Sequence, residues 1–212
     1  MLTCDHVTAG YGRTAVVQDV SFTVPTGTTV ALVGASGSGK TTLLRTVLGL
    51  LPLRAGTLTF EGTPLTRVRT HQRIRRGMAY VPQGQQRFGL LTARESLRLV
   101  ADRYGAAGAR RLDDALALFP ALPGLLGRRA GLLSAGQRQQ LAIARALISA
   151  PTLLVLDDPT AGLAPSLAGE TQDALASIMR QGDMSIVMAE QQAGFALAQA
   201  DSYVALVEGR VL

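Results

Sequence analysis

Residues 34–42 read GASGSGKTT, and the apolar run TVALV (Thr29–Val33) leads directly into them. After them TLLRTVLGL places Leu43, Leu44, Val47 and Leu48 on one face of a helix. Gly34, Gly39, Lys40 and Thr41 stand at the spacing of a phosphate loop, and strand, glycine loop and helix is the context such a loop needs. The glycines let the backbone curl until successive N–H groups point inward at phosphate oxygens. The helix N-terminus adds its positive end. Gly34, Ala35, Ser36, Gly37, Ser38, Gly39, Lys40, Thr41 and Thr42 are therefore the expected phosphate grip. Lys40 is placed to reach the β- and γ-phosphates of a nucleotide, and the Thr41 hydroxyl to bind Mg2+.

The composition singles out the same position. Of 21 Lys plus Arg residues, Lys40 is the single lysine. A compact ammonium matters there more than a planar fork. The net charge of +6 invites a nucleic-acid reading. Aromatic residues make up only 4 % of the chain, however, and none interleave with the basic clusters as stacking platforms, so no nucleic-acid partner is expected. Those clusters (Arg67, Arg69, Arg73, Arg75 and Arg76; Arg110–Arg111; Arg128–Arg129) read as a solvated face, or else as a contact surface for a partner.

The other bulk features bound the class. A chain of 212 residues, 47 % apolar, can bury a full core as one domain. Cys4 is the one cysteine, so no intrachain disulfide can form and a reducing compartment is expected. No signal peptide is visible in MLTCDHVTAGYG, and no run of apolar residues is long enough to span a membrane.

Further along, VLDDPT (residues 155–160) ends an apolar strand in two adjacent carboxylates, Asp157 and Asp158. Such a pair is costly beside a buried strand unless a cation sits there. Beside a phosphate loop it has a reason to exist. Asp157 is then the Mg2+-side acid, and Asp158 the group that orients the attacking water. Between the two halves LLSAGQRQQLAIARAL (residues 132–147) opens a helix at Ser134, with apolar positions returning at helical spacing. A serine and glycine at a helix start form a second anion site.

With these three motifs in this order, the chain resembles the ATP-binding cassette family of transport ATPases over residues 1 to about 210. The resemblance implies an α/β fold: a P-loop NTPase (RecA-like) core, with an antiparallel β subdomain and a helical subdomain. It divides residues 1–212, a single cassette, into a core with its β subdomain (1–83 and 149–212) and a helical part (84–148). It implies ATP and Mg2+ as cofactors. It makes Tyr11 the aromatic that stacks on adenine, and Gln83 a Mg2+ contact that couples the site to a membrane partner. Ser134, Gly136 and Gln137 become the signature that grips ATP bound to another subunit. The segment AGLAP (residues 161–165) takes the place of the loop that crosses the dimer interface. Gln191 in IVMAEQQ occupies the position of a switch histidine.

Three positions depart from the family pattern. Asp158 stands for the usual Glu, shorter by about 1.5 Å of reach, and a misplacement of that order costs roughly a hundredfold in rate. Gln191 can hydrogen-bond a phosphate but carries no charge. Ala135 replaces a glycine and disfavours a positive φ. The EQ pair at Glu190 and Gln191, with LAIARAL and GLAP, also looks like the second ATPase subunit of branched-chain amino-acid importers.

The resemblance then implies permease subunits embedded in the membrane, a second ATPase subunit of the same or a related chain, and an extracytoplasmic solute-binding protein. The chain is expected at the cytoplasmic face of the cell membrane as a peripheral subunit, with Asp158, Gln191 and Lys40 as the catalytic set. The expected cargo is a branched-chain amino acid or another small nitrogen compound, such as an amide or urea. Two alternatives stand beside this reading: a cassette that binds ATP but hydrolyses it weakly as the regulatory half of a heterodimer, and a soluble cassette outside transport.

Overall fold

The segment TVALV is apolar throughout because both of its faces are covered. The computed structural model describes residues 1–84, 89–191 and 193–212. Its first half runs β1 (Leu2–Tyr11), β2 (Thr14–Val24), β3 (Thr29–Val33), α1 (Lys40–Val47), β4 (Leu53–Phe60), β5 (Thr63–Pro64), α2 (Thr70–Arg75) and β6 (Met78–Val81). Helices α3 (Ala93–Ala101), α4 (Gly105–Ala117) and α5 (Ala135–Ile148) follow. The chain then continues through β7 (Leu153–Asp157), α6 (Pro165–Gln181), β8 (Ser185–Glu190), α7 (Ala193–Gln199), β9 (Ser202–Val207) and β10 (Arg210–Val211).

The strands form two sheets. One is antiparallel, in the order β2-β1-β4-β5; the other runs β10-β9-β3-β8-β7-β6. In the second sheet β9, β3, β8, β7 and β6 are mutually parallel, and β10 turns back antiparallel at the edge. The alternation of strand side chains divides the interior in two. Val30 and Leu32 of β3, with Leu153 and Val155 of β7, face a core shared with α1 and the antiparallel sheet. Ala31, Leu154 and Leu156 face the opposite core, built with Leu97, Phe119, Leu141 and Ile143 from the helices. A strand covered on both sides loses the in-out alternation of an exposed sheet and reads as an unbroken apolar run.

Two helices carry reciprocal N-terminal caps. The Ser134 hydroxyl accepts from the Gln137 N–H at 3.2 Å, and Gln137 Oε1 accepts from the Ser134 N–H at 3.0 Å. Thr92 and Glu95 do the same for α3. The start of α1 differs. Gly39 precedes it in a left-handed conformation, φ 103°, with no side-chain cap, so its first N–H groups face the loop. A Cβ at Gly39 would also come within 2.8 Å of Val17 Cγ1.

The basic run 67–76 is only in part a solvated face. Arg67, Arg69, Arg75 and Arg76 are exposed, but Arg73 is buried. Its guanidinium donates to the carbonyls of Val68 (2.8 Å), Thr46 (3.0 Å), Val47 (2.5 Å) and Leu65 (2.8 Å). Two of those carbonyls close the C-terminal turn of α1, where a cation meets the negative end of the helix. Among the described residues, no helix is long and apolar enough to cross a membrane.

Candidate nucleotide site

The carboxyl ends of β3, β7 and β8 lie side by side, with Val33 level with Glu190 and Asp157 level with Ala189. Each strand delivers one wall of a cleft. Loop 34–39 leaves β3, Asp157 and Asp158 leave β7, and Gln191 follows β8. In parallel sheets ligands bind outside these strand ends. Residues 36–42, Val16, Gln83, Asp158 and Gln191 line the cleft, which measures about 200 Å³.

Lys40 is buried, and its ammonium donates to the carbonyls of Gly34 (2.6 Å) and Ala35 (3.0 Å). The Thr41 hydroxyl donates to Asp157 Oδ1 at 2.8 Å, and the Tyr80 hydroxyl to Asp157 Oδ2 at 2.9 Å. Burial pushes the Asp157 carboxyl up from its ordinary range, and the neighbouring Asp158 adds to the shift. The Thr41 and Tyr80 hydrogen bonds and the more distant Arg45 act the other way. Tyr80 is itself pushed up, by burial first and by Asp157 next.

Asp158 has a left-handed backbone, φ 45°, which Asp tolerates better than most residues. Its N–H is tied to the Ala189 carbonyl at 2.9 Å. Gln191 Nε2 donates to its Oδ2 at 3.0 Å. The other oxygen, Oδ1, is buried with no hydrogen-bond partner among the described residues, and the same holds for Ser38 Oγ. Both side chains line the cleft. Buried polar atoms are almost always paired; of the orphans among the described residues, Gln139 Nε2 and Gln140 Oε1 lie on α5, whereas these two meet in one cleft and mark a place made for a polar ligand.

The donor set also fits Mg2+. Thr41 and Gln83 line the cleft, the Thr41 hydroxyl holds Asp157 Oδ1 at 2.8 Å, and hard divalent cations take oxygen ligands. A buried carboxylate shifted toward its protonated form, beside a second acid, gains most from such a cation.

Other expected site residues lie elsewhere. Tyr11 is exposed and does not line the phosphate cleft. Arg45 Nη1 donates to its hydroxyl at 3.2 Å, and Tyr11 lines a wider groove of about 560 Å³ with Leu50, Ile74, Tyr80, Pro82 and Arg145. Val16, from the same hairpin, is the β1–β2 residue that lines the cleft. Ser134, Gly136 and Gln137 sit at the start of α5, outside the cleft. Ala135 takes the first helical position and does not need a positive φ, so the missing glycine brings no backbone strain. Gly136 is required for space instead: a Cβ there would come within 2.8 Å of Leu167 Cβ on α6.

Sequence reasoning gave no site role to Tyr80, Thr160 or Glu190. For Tyr80 and Thr160 no local signal exists. Glu190 had one, a carboxylate closing a run of buried apolar residues, the same pattern that drew attention to Asp157.

Comparisons with known proteins identify the family. Residues 17–161 match the family described as ABC transporter. The high-affinity branched-chain amino acid transport ATP-binding protein BraG of Pseudomonas aeruginosa is 37 % identical, over 100 % of this chain and 91 % of that protein. A probable branched-chain amino acid transport ATP-binding protein, LivF of Archaeoglobus fulgidus, is 36 % identical over 100 % of this chain and 90 % of its own length. Among solved structures, an ATP-binding subunit of an ABC transporter superposes with a TM-score of 0.86 at 31 % identity, covering 100 % of this chain and 88 % of that one. The chain belongs to the ABC transporter family, as one of its ATP-binding cassettes.

Proposed function

We propose that this chain is the ATP-binding and ATP-hydrolysing subunit of an importer for branched-chain amino acids or a related small nitrogen compound such as an amide or urea. The observation that carries the catalytic part is the pair of orphan atoms, Ser38 Oγ and Asp158 Oδ1, in the cleft that also holds Lys40 and Thr41. The names of BraG and LivF support the transport part.

Loop 34–42 holds the phosphates through its N–H groups, and Lys40 exchanges its loop carbonyls for phosphate oxygens. Thr41, Asp157 and Gln83 would hold Mg2+, which would supply positive charge against the transferring phosphoryl group. Asp158 Oδ1 accepts a hydrogen bond from a water aimed at the γ-phosphorus. A new O–P bond forms as the bond to the leaving ADP oxygen breaks, and the water's two protons end on the released phosphate, giving ADP and dihydrogen phosphate. Gln191 fixes the other oxygen of Asp158 and so the direction of the first. Tyr11 stacks on adenine once it leaves Arg45. Ser134, Gly136 and Gln137 serve the ATP of a second cassette, identical or related.

Around this subunit we place membrane-embedded permease chains, with an extracytoplasmic solute-binding protein on the far side and the cassette peripheral on the cytoplasmic face. The groove beside Pro82, walled by exposed Leu50 and Ile74, suits an apolar permease segment close to Gln83.

The test is Mg2+-dependent ATP turnover of the chain beside its Lys40→Ala and Asp158→Glu variants. The expected result is turnover well above Lys40→Ala, with a gain of less than tenfold from Asp158→Glu. Wild-type turnover no better than Lys40→Ala, with a gain of tenfold or more (about 1.4 kcal/mol) in Asp158→Glu, favours a second reading. In that reading the shortened acid makes the chain a nucleotide-gated regulatory half of a heterodimer. Capture from solubilised membranes with no membrane-embedded partner would instead favour a soluble cassette.

A further inference from the structure

Glu190 closes β8 as a buried carboxylate, 1 % exposed, that the proposed chemistry does not use. Its Oε2 accepts from the Thr160 hydroxyl at 2.9 Å, and its Oε1 accepts from the Gln191 N–H at 2.9 Å. Thr160 is buried too, at 2 % exposed, and sits two residues after Asp158. Gln191 in turn donates to Asp158 Oδ2 at 3.0 Å. The contacts close a ring: Asp158, Gln191, Glu190, Thr160 and back along the chain to Asp158. The Ala161 N–H returning to the Asp158 carbonyl at 3.2 Å tightens the turn on the loop side.

This ring joins two elements that sequence separates by 30 residues, the loop 158–164 and the end of β8. Glu190 is not a rival base. Each of its oxygens accepts a hydrogen bond, it is out of reach of solvent, and it does not line the cleft. A buried carboxylate is tolerated when such bonds satisfy it, and the same bonds make it rigid.

We infer that Glu190 is a positioning residue that clamps loop 158–164 to Gln191, so that the loop and the Asp158 side chain move as one unit. The inference rests on the hydrolytic reading above. The clamp sets where Asp158 Oδ1 points. It also gives any displacement of the loop a direct path to Gln191: Thr160 pulls Glu190, Glu190 holds the Gln191 N–H, and the Gln191 amide holds Asp158.

Thr160→Val removes the hydroxyl at nearly constant volume. Glu190→Gln removes the charge and makes one end of the side chain a donor, so the Thr160 hydroxyl can no longer donate to that end and keeps the contact only by turning to accept. Thr160→Ser restores the hydroxyl. Three measurements are made on each chain: affinity for a fluorescent ATP analogue, kcat for ATP, and hydrogen exchange of the backbone over 158–164 and 185–191. The expected result is affinity within twofold of wild type, kcat down tenfold or more, and faster exchange in both segments. Thr160→Ser should return kcat to within threefold of wild type. Exchange that rises only in 158–164, or kcat and affinity falling together, would overturn the clamp and leave Glu190 a purely structural residue. If wild type hydrolyses no ATP, the hydrolytic reading fails, and the exchange arm still decides the clamp by itself. If Glu190→Gln does not fold, the Thr160→Val and Thr160→Ser pair gives the answer.

Discussion

Two buried charged groups in this chain are housed in opposite ways. All three nitrogens of the Arg73 guanidinium donate to the chain's own carbonyls, those of Thr46, Val47, Leu65 and Val68. The cleft at the ends of β3 and β7 is left incomplete: Asp158 Oδ1 and Ser38 Oγ have no partner among the described residues, and Asp157 is shifted toward protonation. Arg73 serves the fold and finds its partners within the fold. A group that serves a ligand keeps part of its bonding capacity for that ligand, at a cost in stability. Burial alone does not separate the two cases, because Arg73 and Asp158 are each 5 % exposed.

The largest expected effect tests the cleft. Lys40→Ala should reduce ATP turnover by about a thousandfold, about 4 kcal/mol of transition-state stabilisation, with a change of only a few degrees in melting temperature. A large loss of stability with turnover retained would place Lys40 on the Arg73 side of the comparison. The next effect tests the other housing. Arg73→Ala leaves buried carbonyls unmatched and should cost about 3 kcal/mol of stability. For a chain of this size that is a fall in melting temperature on the order of 6–12 °C, while the folded fraction binds ATP normally. Calorimetry with and without nucleotide separates the two variants.

Asp157→Asn sharpens the contrast. With its carboxyl pushed up, the folded chain binds a proton there more tightly than the unfolded chain does, so this group subtracts stability as pH rises above its ordinary 3.8. Removing the charge should therefore raise the melting temperature of the nucleotide-free chain at neutral pH. The same change should abolish the extra stabilisation that Mg2+ adds to ATP. Asn keeps an acceptor for Thr41, and its amide N–H can donate to the Tyr80 hydroxyl oxygen in place of the bond that Tyr80 now donates, so packing is little disturbed. A free chain that melts lower than wild type would mean that the carboxylate is held for structure.

The comparison also explains what could be read from the sequence. The phosphate loop, LLVLDD and the signature helix are contiguous motifs, and their strand or helix context is written in the neighbouring residues. They carried the family resemblance, and through it the expectation of an α/β fold with a P-loop core, which the structure bears out. The residues that were missed act across the fold. Tyr80 meets Asp157 over 77 residues, Thr160 meets Glu190 over 30, and Arg73 meets Thr46 over 27. In the sequence Arg73 is one arginine in a basic run, and only the packing of α2 against the end of α1 distinguishes it from its exposed neighbours. Ala135 was misread for a related reason: a positive φ was assumed at a position that is the ordinary first turn of a helix.

The smallest effect comes from a third charged pair, on the surface, where neither housing applies. His6 and Asp19 have left-handed backbones, φ 49° and 58°, in the irregular β1–β2 pairing, and His6 Nδ1 lies 2.5 Å from Asp19 Oδ1. The Asp19 hydrogen bond raises the His6 pKa above its ordinary 6.5, with Asp5, 3.8 Å away, adding to the shift. The folded chain thus holds the imidazole proton more tightly than the unfolded chain does. The resulting stability is present in full below pH 6.5 and is lost as pH rises through the folded value. Melting temperature should therefore slope downward over that window, and His6→Asn, which tolerates the same backbone, should flatten the slope. Both groups are well exposed, so added salt should weaken the slope in wild type and leave His6→Asn unaffected. A slope that survives in His6→Asn would trace to another group, and this pair would then be a contact without consequence for stability.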